Sequence, residues 1–253
     1  MIDEGFAHGD SIIHRLDPRI RVAVAGVYSV SVAFADRFSA LAAALMIALI
    51  LVLFAMLPVK KVLLRLIVVN AMIFLVWILV PFTFKGEPFF NIGPLTVTRE
   101  GISQAVLITV KSNSIILVLM ALLGTMPVFT MGRAMRYLYV PAKIVHLFLF
   151  TYRYIHAIHR EYSRQVNAIK IRGFQPGTSA HTYRTYAYMV GMLLVRSHDR
   201  AERVRAAMLC RGFKGEFYDL IEFSCGPFDI IAMIFMLLAV FILGILQWTS
   251  IIY

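Results

Sequence analysis

The sequence predicts an all-α polytopic membrane protein, with about five transmembrane helices plus two long helices on the cytoplasmic side. Three observations carry this. The 253 residues are 60% hydrophobic, with a mean hydropathy of +0.79, far outside a soluble globular composition. The apolar residues fall into runs of membrane-spanning or near-spanning length, separated by short polar breaks. The region from Pro141 to Asp219 reads as two long helices that begin apolar and turn basic.

Residues 1–21 are polar and hold Ser11-Ile12-Ile13-His14-Arg15-Leu16-Asp17-Pro18-Arg19. Asp17 is a good N-cap and Pro18 a good first helical residue. The first span is expected over 22–35. Ala33-Phe34-Ala35 resembles a signal cleavage site, but the long preceding region with Asp3, Glu4 and its own capped helix start argues for a retained span. Small Ser29 and Ser31 suit close helix packing. Asp36-Arg37 makes an outer turn, and the second span covers 39–57. Pro58-Val59-Lys60-Lys61 through Arg65 reads as an inner loop by its positive charge.

The third span, 66–82, carries Asn70 and Trp77, with Asn70 expected in a hydrogen bond between helices. Residues 83–99 form the outer loop, with turn chemistry at Gly86-Glu87-Pro88 and Asn91-Ile92-Gly93-Pro94 and a short strand over Leu95–Thr98. The fourth span, 101–124, contains Lys111, Ser112 and Asn113. A lysine at that depth must face protein or a cavity, or snorkel. It reads equally as a packing residue or a partner contact. Residues 125–140 read as an amphipathic helix at the cytoplasmic face, wet at Arg133 and Arg136 and buried at Met131, Met135 and Leu138. The last span covers 227–247, with Trp248 and Tyr253 as interfacial anchors. An inside N-terminus and five crossings put the C-terminus outside. The chain therefore divides into 1–124 (N-terminal segment and four spans), 125–219 (a cytoplasmic module) and 220–253 (the last span).

The two long helices end in the same phrase, Ile171-Arg172-Gly173-Phe174 and Cys210-Arg211-Gly212-Phe213. Gln175-Pro176-Gly177-Thr178-Ser179 breaks the chain between them. A helix over 141–171 is roughly 45 Å long, longer than a hydrocarbon core of about 30 Å, and its second half is too charged for lipid. A single Arg-Gly end is an ordinary cap. Its repetition with the same Phe, on consecutive basic helices, is a pattern that capping alone does not require.

Chemistry is poorly supplied. No phosphate-binding loop is present, so the chain is not expected to hydrolyse ATP. Cys210 and Cys225 have no metal spacing and form no disulfide framework. His156 and His159, with Glu161 nearby, come closest to a metal pair but lack a third ligand; His8 and His14 fare no better. The tyrosines Tyr152, Tyr154, Tyr183, Tyr186 and Tyr188 suit interfacial anchoring. Methionines at 126, 131, 135, 189, 192 and 208 suit an adaptable surface or ordinary packing. The net charge of +11 is clustered in the positive-inside manner, and no soluble basic domain of adequate length points to nucleic acid.

The N-terminal phrase His14-Arg15-Leu16-Asp17-Pro18-Arg19 and the paired Arg-Gly tips resemble the transmembrane T component of energy-coupling factor (ECF) ABC transporters. The N-terminal phrase is most similar to the cobalt/nickel-type CbiQ proteins. That resemblance covers nearly the whole chain. It implies a non-catalytic coupling subunit of the cell inner membrane, without a cofactor or bound metal, that holds a substrate-binding S component in the bilayer. It implies two ATP-binding ATPase subunits docked on cytoplasmic coupling helices, with Arg172 and Arg211 seated in their acidic grooves. Ile171, Gly173, Cys210 and Gly212 complete the tips. The family often has Ala before the Arg, where this chain has Ile171 and Cys210. Other readings are a vitamin-type T component, an intramembrane metalloenzyme using His156, His159 and Glu161, and a basic membrane scaffold.

Overall fold

The N-terminal phrase folds into a knot of caps. In the computed structural model, which describes residues 9, 11–84, 88–92, 95–215 and 226–248, α1 (Ile12–Arg15) is a single turn. It leads through buried Leu16 into α2 (Pro18–Ala33). Asp17 caps α2, its Oδ1 accepting from Arg19 N at 2.8 Å, with Pro18 at the first position. The chain continues through α3 (Phe38–Phe54), α4 (Val59–Thr83), a hairpin of β1 (Pro88–Ile92) and β2 (Leu95–Thr98), α5 (Arg99–Leu122) and α6 (Val128–Tyr137). Then come α7 (Ala142–Ile171), α8 (Ala180–Cys210) and α9 (Pro227–Trp248). These form two units, each described by itself. One comprises Ile2–Val140 with Phe223–Tyr253; the other is Pro141–Glu222.

In the first unit, α5 packs against α2, α3 and α4, and α9 against α2 and α3. Ala40, Ala44 and Ala48 of α3 recur at one-turn spacing and are all buried. Such small residues let helix backbones approach where no water drives packing. Tyr28 of α2 donates from Oη to the Ala44 carbonyl at 2.8 Å. Pro81 lies inside α4 and is buried. A Cβ at Gly101 would stand 2.7 Å from Pro81 Cα, so α4 and α5 come together at a point only glycine permits. Thr98 caps α5, accepting from Gly101 N at 3.3 Å, and donates to the Phe84 carbonyl at 3.0 Å.

Among the described residues, three helices are long and apolar enough to cross a membrane: Val59–Thr83, Arg99–Leu122, and α9 over Pro227–Ile245. Phe38–Phe54 is a shorter apolar helix, and α2 has 16 residues. The chain is thus the all-helical polytopic membrane protein that its sequence predicts. The inner loop expected from Pro58 to Arg65 is instead the first two turns of α4, since lysine and arginine are good helix formers. The strand over 95–98 exists and pairs antiparallel with β1. In α6 the buried residues are Gly132 and Ala134, while Met131, Met135, Leu138, Arg133 and Arg136 are all half-buried. Its close contact is therefore made by small residues, with no fully wet arginine face. The hydroxyls of Ser29 and Ser31 bond back to Ala25 O and Val27 O within α2.

Several polar residues inside the membrane-unit helices have partners. Asn70 and Asn113 exchange two amide hydrogen bonds at 3.2 and 3.0 Å, as expected for Asn70. Trp77 Nε1 donates to Thr109 Oγ1 at 2.9 Å. Lys111 Nζ pairs with Asp36 Oδ1 at 2.8 Å and donates to Ala33 O at 3.2 Å. Cys225, Asp219 and Tyr253 lie outside the described residues.

Candidate functional site

The tips are built by one local rule applied twice. At the end of α7, Gly173 has φ +79°. Its N–H donates to Lys170 O at 3.0 Å, and Phe174 N–H to Ile169 O at 3.2 Å. At the end of α8, Gly212 has φ +77°. Its N–H donates to Leu209 O at 2.9 Å, and Phe213 N–H to Met208 O at 3.0 Å. Both are complete Schellman motifs: the paired bonds satisfy carbonyls that a helix end leaves open. Nothing lies within 4 Å of a Cβ placed on either glycine, so glycine is required by the left-handed backbone alone.

Each motif holds its arginine at the C-cap, Arg172 at φ −78° and ψ 12° and Arg211 at φ −89° and ψ 11°. Both side chains are exposed, as are Ile171 and Cys210. Neither arginine forms an ion pair among the described residues. The two phenylalanines do not project beside them. Phe174 turns back onto α8, edge-on to Tyr186 at 5.8 Å and tilted to His181 at 6.2 Å. Phe213 lines a groove between α7 and α8. Both rings lie within the α7–α8 unit.

The break between the helices is itself a cap. Ser179 Oγ accepts from Thr182 N at 3.3 Å, and Thr182 Oγ1 accepts from Gly177 N at 3.3 Å. With Phe174 on Tyr186, this ties the first tip to the start of α8. Further along, Glu161 of α7 is buried and ion-paired with Arg196 of α8, with Arg164 at 3.7 Å. The hydrogen bond from Arg196 holds the Glu161 carboxyl below the usual carboxylate range. The groove, of about 580 Å³, is walled by Leu147, Phe150, Ile158, Val204 and Met208, with this ion pair in its lining.

The metal-enzyme reading is corrected here. Glu161 serves Arg196, and no group of three metal-capable side chains exists among the described residues. The tyrosines are dispersed along α7 and α8, Tyr154 stacking on Phe150 and under Arg153.

The N-terminal phrase belongs to the other unit, where it acts as a latch. Ser11 Oγ lies 2.6 Å from His14 Nδ1. Asp17 N donates to Asp229 Oδ1 in the first turn of α9 at 2.9 Å, and Asp229 Oδ2 accepts from Gly226 N. Arg19 lies 3.5 Å over the ring of Tyr137 in α6. Buried Arg21 donates to Thr125 Oγ1 at 3.1 Å. Leu16 is buried, Pro18 half-buried and Arg15 exposed. Sequence reasoning missed Asp229, Thr125 and Tyr137. An acid in the first turn of the last helix was a visible cap signal, but its partner lies 212 residues away.

Fold and site together define a polytopic helical membrane protein whose second unit presents two identical arginine-bearing helix ends. The family CbiQ, cobalt transport protein, matches residues 9–219. The chain belongs to that family and is the transmembrane T component of an ECF transporter, a non-catalytic transporter subunit. It is 29% identical over 226 residues to the energy-coupling factor transporter transmembrane protein EcfT of Limosilactobacillus fermentum, covering 82% of each chain. It is 29% identical over 263 residues to the EcfT of Acidaminococcus fermentans, covering 95% and 94%. It is 25% identical over 128 residues to the cobalt transport protein CbiQ of Rhodobacter capsulatus, covering 50% and 52%.

Proposed function

We propose that this chain couples two ATPase subunits to a membrane-embedded substrate-binding S component in an importer of cobalt or nickel ions. The repeated tip carries the reading. Two Schellman caps of the same geometry hold Arg172 and Arg211 outward on rigid helices. Guanidinium stays charged and pairs bidentately with carboxylate, so each tip fits an acidic groove on one ATPase. ATP-driven closure of the ATPase pair moves the tips relative to each other, and α7 and α8 carry that motion to the membrane. In this reading the N-terminus and the coupling helices face the cytoplasm of a cell whose inner membrane holds the complex. The family description and the Rhodobacter capsulatus relative support the metal cargo.

A second reading, a T component serving vitamins or several S components, is favoured by one observation. The EcfT relatives align over far more of the chain than the CbiQ relative does.

The test is affinity purification of the complex with uptake of radiolabelled cobalt in the same membranes. Arg172→Ala and Arg211→Ala should each lower ATPase retention and uptake, and the double variant should abolish both. Normal retention and uptake in the double variant rejects the coupling role. Intact retention and vitamin uptake without cobalt uptake selects the second reading.

A further inference from the structure

The cationic start of α4 opens onto an apolar groove of the membrane unit. Lys60, Lys61 and Arg65 are all exposed. Asn70 meets Asn113 and Trp77 meets Thr109, so α4 and α5 run antiparallel and the end of α5 stands beside the start of α4. Between them lies a groove of about 700 Å³ with Arg65 in its lining. Its other walls are apolar: Leu64 and Val68 from α4, Ile116, Leu119 and Leu123 from α5 and its C-cap. Leu64 and Val68 are 57% and 67% exposed.

The level of the groove follows from the chain. From Leu66 to Thr83, α4 carries no charge. That run rises about 27 Å, close to a hydrocarbon core of about 30 Å, and both α4 and α5 are of spanning length. Arg65 therefore stands where hydrocarbon gives way to headgroups. Lys61 lies one turn further out, about 6 Å along the axis. Helical side chains lean toward the N-terminus of their own helix. On α4 that direction leads out of the hydrocarbon, so the Arg65 guanidinium snorkels to headgroup level.

The charge at this level has one sign. Residues 37–86 and 101–160 contain no aspartate or glutamate, so neither α4 nor the adjoining half of α5 supplies a carboxylate. Like charges one helical turn apart repel, and a phosphate between Lys61 and Arg65 replaces that repulsion with attraction. Beyond the phosphate, the groove offers hydrocarbon to hydrocarbon. A glycerophospholipid presents both chemistries in that order and at that depth. A zwitterionic headgroup brings its own cation, which the α4 cluster repels; an anionic one does not. We propose that this groove binds an anionic phospholipid, its phosphate held by Arg65 and Lys61 and one acyl chain laid along Val68 and Ile116. Binding here depends on the spanning helices alone, not on the coupling role of the tips.

The test is native mass spectrometry of the complete transporter titrated with phosphatidylglycerol or with phosphatidylcholine of the same chains. The first phosphatidylglycerol should bind roughly tenfold tighter than the first phosphatidylcholine, and Arg65→Gln should weaken it about fivefold, as expected for one juxtamembrane cation. Val68→Trp keeps every cation but fills the groove at an exposed position, and should weaken it as well. Arg37→Gln, in the α2–α3 turn, should leave it unchanged. Equal binding of the two lipids overturns the inference. So does full binding in Val68→Trp, which would show headgroup attraction without a groove, or a loss in Arg37→Gln equal to that in Arg65→Gln, which would show unselective surface charge. A p-benzoylphenylalanine at Leu64 that crosslinks to another subunit instead of to lipid, in membranes holding the transporter, overturns it too.

Discussion

Gly173 and Gly212 are where the tips are decided. Each sits at a left-handed φ that a Cβ disfavours by roughly 1–2 kcal/mol. Gly173→Ala and Gly212→Ala should each cost about 1 kcal/mol, lowering the melting temperature of the purified complex by about 2–4 °C, whereas Gly→Asn should cost less. Equal losses for Ala and Asn would contradict the Schellman account. The tips were legible in the sequence because a Schellman cap is local: its bonds join residues within one turn, and Arg-Gly-Phe records them. The direction of Phe174 was not legible. Nothing in Ile171-Arg172-Gly173-Phe174 says that the ring will turn back to Tyr186 and His181.

Among the elements, the join of α7 to α8 matters most. Arg172 lies about 16 Å along α7 from Glu161, and Arg211 about 22 Å along α8 from Arg196, so their ion pair stands as the pivot of two arms. The Glu161 carboxyl is depressed by its hydrogen bond from Arg196. The sign follows: the contact is fully present above the unfolded carboxylate value, about 4.3, and is lost only as pH falls through the lower folded value. Coupled uptake should show no Glu161 inflection between pH 5 and 8, while Glu161→Gln should leave ATPase subunits bound and uncouple ATP hydrolysis from uptake. An inflection near neutrality that Glu161→Gln abolishes would contradict this assignment. In the sequence Glu161 was grouped with His156 and His159 as a metal-capable set, because they lie close to it in the chain; its actual partner lies 35 residues away on the next helix. The charged start of α4 was misplaced for a different reason. Lys60, Lys61 and Arg65 were read as a loop by their charge, which does not bar them from the first turns of a helix.

At the scale of the whole molecule, each unit is organised by a different physics. The membrane unit is held by small residues and paired polar groups, with the N-terminal phrase latched to α6 and α9. Asp17 was legible as a cap, but not as a tie to Asp229, since that contact belongs to tertiary packing. The tie is made by the Asp17 backbone N–H, which alanine keeps, so Asp17→Ala should cost only what a cap does, typically about 1 kcal/mol. Asp229→Ala removes the acceptor of both the Asp17 and Gly226 N–H groups and should lower the thermal stability of the complex more than Asp17→Ala; a smaller loss would contradict the latch. The all-helical plan was legible from hydropathy, because apolar length is written directly in the chain. Of the apolar helices, α2 and α3 are the shorter, at 16 and 17 residues.

The account stands on relative motion of the two tips. The most direct measurement is the distance between spin-labelled amino acids at Gln175 and Lys214, beside the tips, by pulsed electron resonance on the complete transporter in lipid. ATP binding should shift that distance by several ångströms, on the order of a helical turn, and the shift should vanish in the Arg172→Ala, Arg211→Ala double variant. A distance that ATP leaves unchanged in a complex still importing its cargo would contradict the account.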